Sequence, residues 1–382
     1  MAKKPDYILL GAVIFLIILG ILTLSSTSFS VSQEKFNDPF RLLTHQVLYG
    51  LIPGIFAAWF FYKIPLGRFK KLVLPLFLIN LILMVMVFVP GIGMKIKGAS
   101  RWISLGPISL QPAEFLKITF ILYLASWLGA EISSVKEKKS RPKNKFLNDS
   151  PFSLHQNRTR NIIAFCLILG FISLFLILQP DISTLGIIII IALLMYFAAG
   201  APLWHVGLIF SFGIAALFAL IKIAPYRMDR LVIFLKPELY PLGIGYQLQQ
   251  SLIAVGSGGI KGLGLGLSRQ RFGFLPDTIS DSIFPIFAEE TGFIGSFVLI
   301  LLFLILLFEG FKIAKNAKDN FLKLAGFGIT SWIVIQAFIN IGAMIGVVPL
   351  AGIPLPFISY GGSAIMVELI GVGILLNISK NN

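Results

Sequence analysis

The sequence predicts an α-helical bundle that crosses a membrane several times, and three observations support this fold class. Of the 382 residues, 57% are hydrophobic, and the mean hydropathy is +0.90. Several apolar runs reach the ~20 residues that a helix needs to cross a ~30 Å hydrocarbon core. Alternating polar and apolar residues, which the strands of a membrane β-barrel require, are scarce. The sequence therefore predicts an all-α polytopic membrane protein.

Ten apolar segments are predicted to cross the membrane. Their approximate ranges are 7–24, 45–62, 72–90, a segment that ends near residue 130, 161–178, 183–200, 204–222, 284–308, 324–345 and 364–378. The first follows Lys3 and Lys4 and lacks a small-residue cleavage site, so it is predicted to be retained with the amino terminus inside. The whole chain, residues 1–382, is predicted to form one transmembrane domain with both termini cytoplasmic.

The formal net charge of +15 would suit nucleic-acid binding in a soluble protein. Here the basic residues lie mainly in loops between apolar segments, where they set the orientation of the helices and attract anionic headgroups. This distribution predicts membrane lipids as partners and no nucleic acid. It also predicts a basic cytoplasmic loop at residues 131–160 and a large extracytoplasmic loop at residues 223–283, between the seventh and eighth helices.

Four non-spanning segments are predicted to meet on the outer face, namely residues 91–112, 179–182, 223–283 and 346–361. Gly and Pro interrupt helix geometry in the first and last of them. Irregular backbone at membrane depth is tolerated only where it is buried in protein or lines a cavity. Residues 346–363 are therefore predicted to fold back into the bundle. The glycine-rich run Gly256–Gly266 is predicted to be flexible and to close over a substrate.

Charged residues concentrate in one stretch, residues 269–292, which holds two arginines and four carboxylates in a chain of which 13% is charged. Ionisable groups beside apolar helices are expensive and therefore usually functional. Asp281 is the strongest candidate; the alternative is a helix amino-terminal residue that the macrodipole stabilises. The single cysteine, Cys166, excludes a thiolate metal cluster. The histidines are scattered, and no metal site is predicted.

Glu114 and Lys117 are three residues apart, so on a helix they share a face and can pair. An unpaired lysine inside a span would be costly, so an ion pair is expected, either between these two residues or with Asp181. Two roles remain open for the pair. It either holds the bundle together or contacts a substrate.

Five motifs, in order along the chain, resemble those of the SEDS family (shape, elongation, division, sporulation). They are GASRWI at 98–103, QPAEFLK at 111–117, QPD at 179–181, LPDTISDSIF at 275–284 and the long segment 340–363 that ends in PFISYGGS. The departures are modest: Ala113, Asp277 and Ser280 stand where Ser, Glu and Thr are common in relatives. The run GLGLGLSRQ at 262–270 resembles the FtsW branch more than the RodA branch.

The resemblance implies ten transmembrane helices and a peptidoglycan glycosyltransferase. Its substrate would be lipid II, and its partners would be a class B penicillin-binding protein, which is a transpeptidase, and other divisome proteins. The leaving group, undecaprenyl pyrophosphate, needs no general acid, so one carboxylate, Asp281, is expected to act as general base on the acceptor hydroxyl.

Further side chains are expected to bind this substrate. They are Arg101, Glu114, Lys117, Asp181, Arg269, Arg271 and Ser359. The arginines suit pyrophosphate because the guanidinium fork matches phosphate oxygens, although each can equally be an interfacial side chain. A divalent cation, Mg or Mn, is a further candidate for the pyrophosphate. Two rival functions remain, a lipid II flippase and a non-catalytic division scaffold, and the scaffold predicts that Asp281 is dispensable.

Overall fold

The computed structural model describes residues 4–96, 99–106, 108–140, 151–202 and 244–382, with a few isolated residues between 204 and 234. The helices of this part of the chain are α1 (Tyr7–Phe36), α2 (Arg41–Lys63), α3 (Leu66–Met86), α4 (Pro112–Ser140), α5 (Pro151–Leu178), α6 (Ile182–Ala198), α7 (Ile244–Ser257), α8 (Ile283–Asn316), α9 (Asn320–Met344) and α10 (Gly362–Asn381). One turn of α2, Val47–Leu51, is π-helical.

The described helices account for most of the predicted spans. Seven of them are long and apolar enough to cross a membrane, and the apolar segments Ile162–Leu178 and Ile182–Ala198 are two shorter candidates. The predicted span at 204–222 lies mostly outside the described residues. Large apolar side chains such as Phe56, Leu167 and Phe308 are each 68% exposed on these helices. Such exposure is expected where hydrocarbon, and not water, surrounds the protein.

Both chain termini lie at the same end of the bundle. The Asp6 backbone N–H donates a hydrogen bond to Ser379 Oγ (3.1 Å), and Asn382 Nδ2 donates to the Ile313 carbonyl oxygen (3.0 Å). Asn377 Nδ2 donates to the carbonyl oxygen of Phe61 (2.7 Å), which brings the end of α2 to the same level. We call this end the terminal face and the opposite end the site face.

The helices α9 and α10 form the centre of the bundle. Trp332 and Ile333 on α9 and Val367 on α10 have no exposed surface. Two glycines of α2, Gly50 and Gly54, allow α10 to approach closely. A Cβ atom added to Gly50 would lie 2.9 Å from the Cα of Gly362, and one added to Gly54 would lie 3.1 Å from the Cα of Met366. This spacing of small residues is a common device of helix packing in membranes.

A small antiparallel sheet covers part of the site face, which the sequence did not predict. Its strands are β1 (Gly93–Ile96), β2 (Ala99–Leu105) and β3 (Ile108–Leu110), in the order β1-β2-β3, with a bulge between Met94 and Lys95. The strands are too short for a clear alternating pattern. The sheet is joined to the bundle where the Gln111 N–H donates to Ser363 Oγ (3.0 Å).

The segment predicted as a loop at 131–160 is helical at residues 131–140 and 151–160, which corrects its predicted backbone, and its cytoplasmic location stays a prediction. Helix α4 continues to Ser140, and α5 begins at Pro151; residues 141–150 lie outside the described part of the chain. Likewise α1 continues to Phe36, beyond the predicted end of the first span. A polar composition shows where a helix leaves the hydrocarbon. It does not show where the helix ends, because Lys and Glu are good helix formers.

Candidate active site

Asp281 is half-buried on the site face, in a tight turn that leads into α8. The carbonyl oxygen of Asp277 accepts the N–H groups of Ser280 (3.1 Å) and Ser282 (3.2 Å), and Asp277 itself has a φ of 52°. Gln247 Nε2 on α7 donates to Ser282 Oγ (2.8 Å). Because α8 begins at Ile283 with Ser282 as its N-cap, Asp281 lies just outside the helix. A carboxylate one residue before the N-cap is still near the positive end of the helix dipole, so this position fits both the macrodipole role and a catalytic one.

The segment that precedes α10, residues 346–361, holds the Asp281 turn from the other side, and we call it the re-entrant segment. Ser359 Oγ donates to the Ser280 carbonyl oxygen (2.5 Å) and accepts the Leu355 N–H (2.8 Å). The Tyr360 N–H donates to the Ile279 carbonyl oxygen (2.8 Å). Leu355, Phe357, Ile358 and Ser359 are all buried, which confirms that this segment folds back into the bundle.

Asn340 on α9 ties the two segments together. Its Nδ2 donates to the carbonyl oxygens of Asp281 (2.8 Å) and Ile353 (2.7 Å). The Asp281 carboxylate lies against the turn at Gly352, which has a φ of 61°, and a Cβ there would be 3.4 Å from Asp281 Oδ2. Hydrogen bonds therefore fix the backbone of the turn, and the carboxylate lies beside the re-entrant segment.

Helix α2 supports the re-entrant segment from a third side. Gln46 Nε2 donates to the Ser359 carbonyl oxygen (3.4 Å), and its Oε1 accepts the Gly361 N–H (3.0 Å). The Tyr360 hydroxyl and His45 Nδ1 are 3.0 Å apart and hydrogen-bonded. Burial raises the pKa of the Tyr360 phenol, so this hydroxyl stays protonated at neutral pH.

We predict that Ser359→Ala displaces the Asp281 turn. The change leaves the Leu355 N–H and the Ser280 carbonyl without this partner, at a cost of about 1–3 kcal/mol in unfolding free energy. A shift of the turn by ~1 Å would lower a rate that depends on Asp281 by up to ~100-fold. Ser280→Ala is the control, because its hydroxyl makes only a long 3.5 Å contact with the Asp277 carbonyl. Equal rates for the two variants would contradict the prediction.

Glu114 and Lys117 form a buried ion pair within α4. Lys117 Nζ is 2.7 Å from Glu114 Oε2, and the two side chains are 1% and 5% exposed. Lys117 Nζ also donates to Gln336 Oε1 (2.8 Å), which accepts a second bond from Trp332 Nε1 (2.9 Å). Gln336 Nε2 donates to the Pro354 carbonyl (3.0 Å). The pair is thus connected to the re-entrant segment.

Asp181 is not the partner of Lys117; it caps α6. Its carboxylate accepts the Thr184 N–H (3.3 Å) and the Thr184 hydroxyl (2.9 Å). Arg101 binds the same turn, because its Nε donates to the Gln179 carbonyl (3.1 Å) and its Nη2 donates to the Pro180 carbonyl. The Ser183 hydroxyl donates to the Ala351 carbonyl. The turn at 179–183 therefore links the sheet to the re-entrant segment.

The two arginines before the Asp281 turn differ in their surroundings. Arg271 Nη1 is 3.3 Å from both the carbonyl oxygen and the hydroxyl of Ser26 on α1, and its guanidinium lies 4.8 Å from the centre of the Phe272 ring. Arg269 has an exposed side chain, and its backbone N–H donates to Glu289 Oε1 (3.2 Å). Of the two, Arg269 presents its guanidinium to the outside.

Glu289 and Glu290 organise the segment between α7 and the Asp281 turn, a role that the sequence did not reveal. Glu289 accepts the hydroxyl of Ser268 and the N–H groups of Arg269 (3.2 Å) and Gln270 (3.4 Å). Glu290 accepts the Ser26 hydroxyl of α1. Among the described residues, no three His, Cys, Asp or Glu side chains cluster as a metal site would require. The only sequence signal was a pair of carboxylates inside an apolar helix.

Helix α8 is interrupted at Gly292, and the glycine-rich run forms hydrogen bonds with the backbone on both sides of the interruption. Gly292 has a φ of 67° and a ψ of −164°. The N–H groups of Leu263 and Gly264 donate to the carbonyls of Glu289 (2.9 Å) and Glu290 (3.0 Å). In return, the N–H groups of residues 293 and 294 donate to the carbonyls of residues 259 (2.9 Å) and 260 (3.2 Å). The run is docked by backbone hydrogen bonds, in contrast to the flexible lid predicted.

Gly262→Ala is predicted to undock this run. Gly262 has a φ of 81°, and a Cβ there would lie 2.1 Å from the Glu290 carbonyl oxygen. The left-handed conformation alone costs a non-glycine residue about 1–2 kcal/mol, and the overlap adds to this. We expect a lower thermal unfolding temperature. Gly256→Ala serves as control, since nothing lies within 4 Å of its Cβ position in α7 and the substitution favours the helix; a comparable loss there would count against the docking.

All four segments predicted for the outer face meet on the site face, insofar as the structure describes them. Ser359 lies directly beneath the Asp281 turn, and Glu114 and Lys117 reach the re-entrant segment through Gln336. The remaining candidates support neighbouring turns. They are Arg101 and Asp181 at 179–184, and Arg269 and Arg271 at 268–272. The sequence did not identify Asn340, Gln46 or Gln336, because neutral amides carry no chemical signature.

The fold and the site together define a polytopic helical membrane protein whose re-entrant segments hold a carboxylate at one membrane face. Residues 7–382 match the FtsW, RodA and SpoVE family model, described as cell cycle protein. The chain belongs to this family.

Its relatives cover almost the whole chain. Stage V sporulation protein E of Bacillus subtilis is 38% identical over 380 residues, which are 99% of this chain and 97% of the relative. The probable peptidoglycan glycosyltransferase FtsW of Hydrogenovibrio crunogenus is 37% identical over 377 residues, 98% and 91% of the two chains.

Two solved structures share the fold. A chain of a structure described as "Structural coordination of polymerization and crosslinking by a peptidoglycan synthase complex" aligns with a TM-score of 0.72 and 27% identity, covering 99% of this chain and 98% of that one. The rod shape determining protein RodA of Thermus thermophilus aligns with a TM-score of 0.66 and 25% identity, over 99% and 97% of the two chains. The match over nearly full length confirms the predicted family and fold class.

Proposed function

We propose that this chain is a peptidoglycan glycosyltransferase that polymerises lipid II into glycan strands. The observation that carries the proposal is the placement of Asp281, a half-buried carboxylate on a turn that α7, α9 and the re-entrant segment hold at one membrane face. Because three elements hold this turn, its carboxylate is positioned for proton transfer. Family membership and the names of the relatives support the same activity.

The proposed reaction needs one base. Asp281 accepts the proton of the acceptor sugar hydroxyl, whose oxygen attacks the anomeric carbon of the donor. A new glycosidic C–O bond forms while the bond from that carbon to the phosphate oxygen breaks, and undecaprenyl pyrophosphate leaves with the electron pair. The proton remains on the Asp281 carboxyl group until solvent removes it. Attack opposite the leaving group inverts the anomeric centre.

Charge on the departing pyrophosphate must be balanced by cations. Arg269 is the first candidate, because its guanidinium is exposed, whereas Arg101 and Arg271 bind carbonyl oxygens. We assign Glu114, Lys117, Asp181 and Ser359 to positioning, since each is hydrogen-bonded or ion-paired within the protein. No three His, Cys, Asp or Glu side chains cluster in the described part of the chain, and no step is assigned to a divalent cation.

Orientation follows from the basic residues. Lys63, Arg68, Lys70 and Lys71 lie at the end of α2 and the start of α3 on the terminal face, where Lys70 pairs with Asp319 (3.7 Å). Short basic loops stay in the cytoplasm. The termini would then be cytoplasmic, and Asp281 would face the outside of the cytoplasmic membrane, where lipid II is displayed.

The partner and the process are part of the same proposal. One structural neighbour comes from a peptidoglycan synthase complex, which supports a class B penicillin-binding protein as partner. The curated relatives carry the names FtsW and stage V sporulation protein E, which supports a role in division, together with other divisome proteins, over RodA-type elongation.

The test is polymerisation of fluorescent lipid II by the purified chain in lipid nanodiscs, with and without its transpeptidase partner. Glycan strands resolved on a gel are the expected product, provided that the partner's own transpeptidase activity is blocked by a β-lactam. Vesicle assays of lipid II translocation run in parallel. Translocation without polymer would favour a flippase, and neither activity beside a functional partner would favour a scaffold.

A further inference from the structure

The segment between α7 and the Asp281 turn exposes an unusual amount of apolar surface. Residues 252–267 contain two polar side chains, Ser257 and Lys261. The apolar edge, as we call it, consists of Leu252 (43% exposed), Ile253 (54%), Ile260 (70%), Leu263 (38%), Leu265 (61%) and Leu267 (64%). Such a concentration of exposed apolar side chains in one segment marks contact with a partner or a membrane.

The outward face of α7 changes character along the helix. Its inward face carries Leu248, Ser251 and Ala254, which are buried. In its first half, the partly exposed side chains include Gln249 and Gln250, whereas Leu252 and Ile253 are exposed in its second half. A helix with this gradient fits a polar-to-apolar boundary, with its carboxyl-terminal half on the apolar side.

The backbone hydrogen bonds at the break of α8 fix the depth of the apolar edge. They place Ile260 beside Phe293 and Ile294, which are 67% and 53% exposed on a membrane-spanning helix. From Gly292 to the end of α8, the helix rises about 36 Å, slightly more than a ~30 Å hydrocarbon core. A hydrocarbon core that begins near Lys315 at the far end of α8 would therefore reach almost to Gly292, which would put the apolar edge at its margin, beside the exposed Phe293 and Ile294.

Irregular backbone can enter hydrocarbon only if its polar groups are satisfied within the protein. The glycine-rich run meets this condition where it pairs with α8, and the Gly262 N–H also donates to the Gly258 carbonyl (2.8 Å). Lys261, beside Ile260, has an exposed side chain, long enough to carry its ammonium to the headgroups while its stem stays among apolar groups.

We propose that the apolar edge is inserted in the lipid leaflet on the site face, with Lys261 at headgroup level. Bilayer lipid is the occupant, because the edge is continuous with a lipid-facing helix surface. The glycine-rich run leads into residues 268–270, which Glu289 binds. The lipid surface would thus hold the Asp281 turn at a set height above the leaflet. This proposal requires the membrane fold and not the glycosyltransferase activity.

The experiment measures the depth of single labelled sites. In a Cys166→Ala background, which removes the lone cysteine, Ile260→Cys and Leu265→Cys are labelled with a bimane fluorophore and reconstituted in phosphatidylcholine nanodiscs. Fluorescence is measured with two quenchers. A lipid with a doxyl group near the top of its acyl chain quenches labels inside the membrane, and iodide quenches labels in water. Phe297→Cys, one turn deeper on α8 and 56% exposed, is the lipid benchmark, and Asp277→Cys, on the exposed side of the Asp281 turn, is the aqueous one.

We expect both edge sites to lose fluorescence with doxyl lipid, as Phe297→Cys does, and to resist iodide. Quenching by iodide as at Asp277→Cys would show that the edge faces water and would overturn the proposal. Protection from both quenchers would show that protein covers the edge, and this would overturn it too. Thermal unfolding of each labelled variant, compared with the background protein, confirms that the fold is kept.

Discussion

Asp281→Asn is expected to abolish glycan synthesis while the protein remains folded. An amide has nearly the shape of a carboxylate but cannot accept the proton of the acceptor hydroxyl. Loss of a general base lowers a rate by roughly 100- to 10,000-fold. The Asp281 backbone carbonyl, which Asn340 binds at 2.8 Å, is unchanged in the variant. The measurement is the initial rate of lipid II polymerisation, with thermal unfolding recorded on the same samples.

Asp277→Asn is the matched control for this experiment. Asp277 lies four residues earlier in the same turn, is exposed, and contributes its backbone carbonyl to the turn. Its φ of 52° is one that asparagine tolerates well. The control variant should therefore polymerise at close to the unmodified rate. If Asp281→Asn made polymer at the rate of the control, Asp281 would not be the general base. Its dispensability would then favour the non-catalytic scaffold.

The sequence predicted the features that depend on composition and charge. Apolar length located the described spans, and the rarity of charge beside them selected Asp281 and the Glu114–Lys117 pair. Gly and Pro at 346–363 predicted a re-entrant segment because irregular backbone must be buried, and Leu355 and Phe357 are buried there. The predictions of the spans, the buried pair and the re-entrant segment are confirmed because the hydrocarbon penalty acts on each residue almost independently of the rest, whereas the role of Asp281 stays a prediction.

The sequence could not predict contacts between distant segments. The pairing of the glycine-rich run with the break in α8 joins residues about thirty positions apart, and either segment alone resembles an ordinary loop or helix. The same is true of Asn340 and Gln46, whose hydrogen bonds hold the Asp281 turn and the re-entrant segment. The polar end of α4 and the polar start of α5 were not predicted to be helical for a different reason. The polarity of the side chains indicates that a segment is in water, but it does not indicate whether the backbone is helical.

The second large effect is expected at the buried ion pair. Lys117→Met leaves the Glu114 carboxylate without its ammonium partner at a site where both side chains are at most 5% exposed. Breaking a buried pair by removing one partner costs about 3–5 kcal/mol. We therefore expect a marked fall in the apparent unfolding temperature, measured in nanodiscs at one scan rate. Lys312→Met is the control: its pair with Glu309 has the same spacing and the same 2.7 Å distance, but the Lys312 side chain is 57% exposed, and such pairs contribute at most ~1 kcal/mol.

The double variant Glu114→Gln/Lys117→Met separates the two roles left open for the pair. It removes both charges together, so no uncompensated charge stays buried, and we expect it to be more stable than either single variant. If the pair only holds the bundle together, polymerisation should return along with stability, because Gln336 keeps its hydrogen bonds to Trp332 Nε1 and to the Pro354 carbonyl in the double variant. Recovered stability without polymerisation would instead mean that one of the two charges contacts the substrate. The double variant is expected to keep the fold without the two charges. It therefore distinguishes a pair that only holds the bundle together from a pair that contacts the substrate.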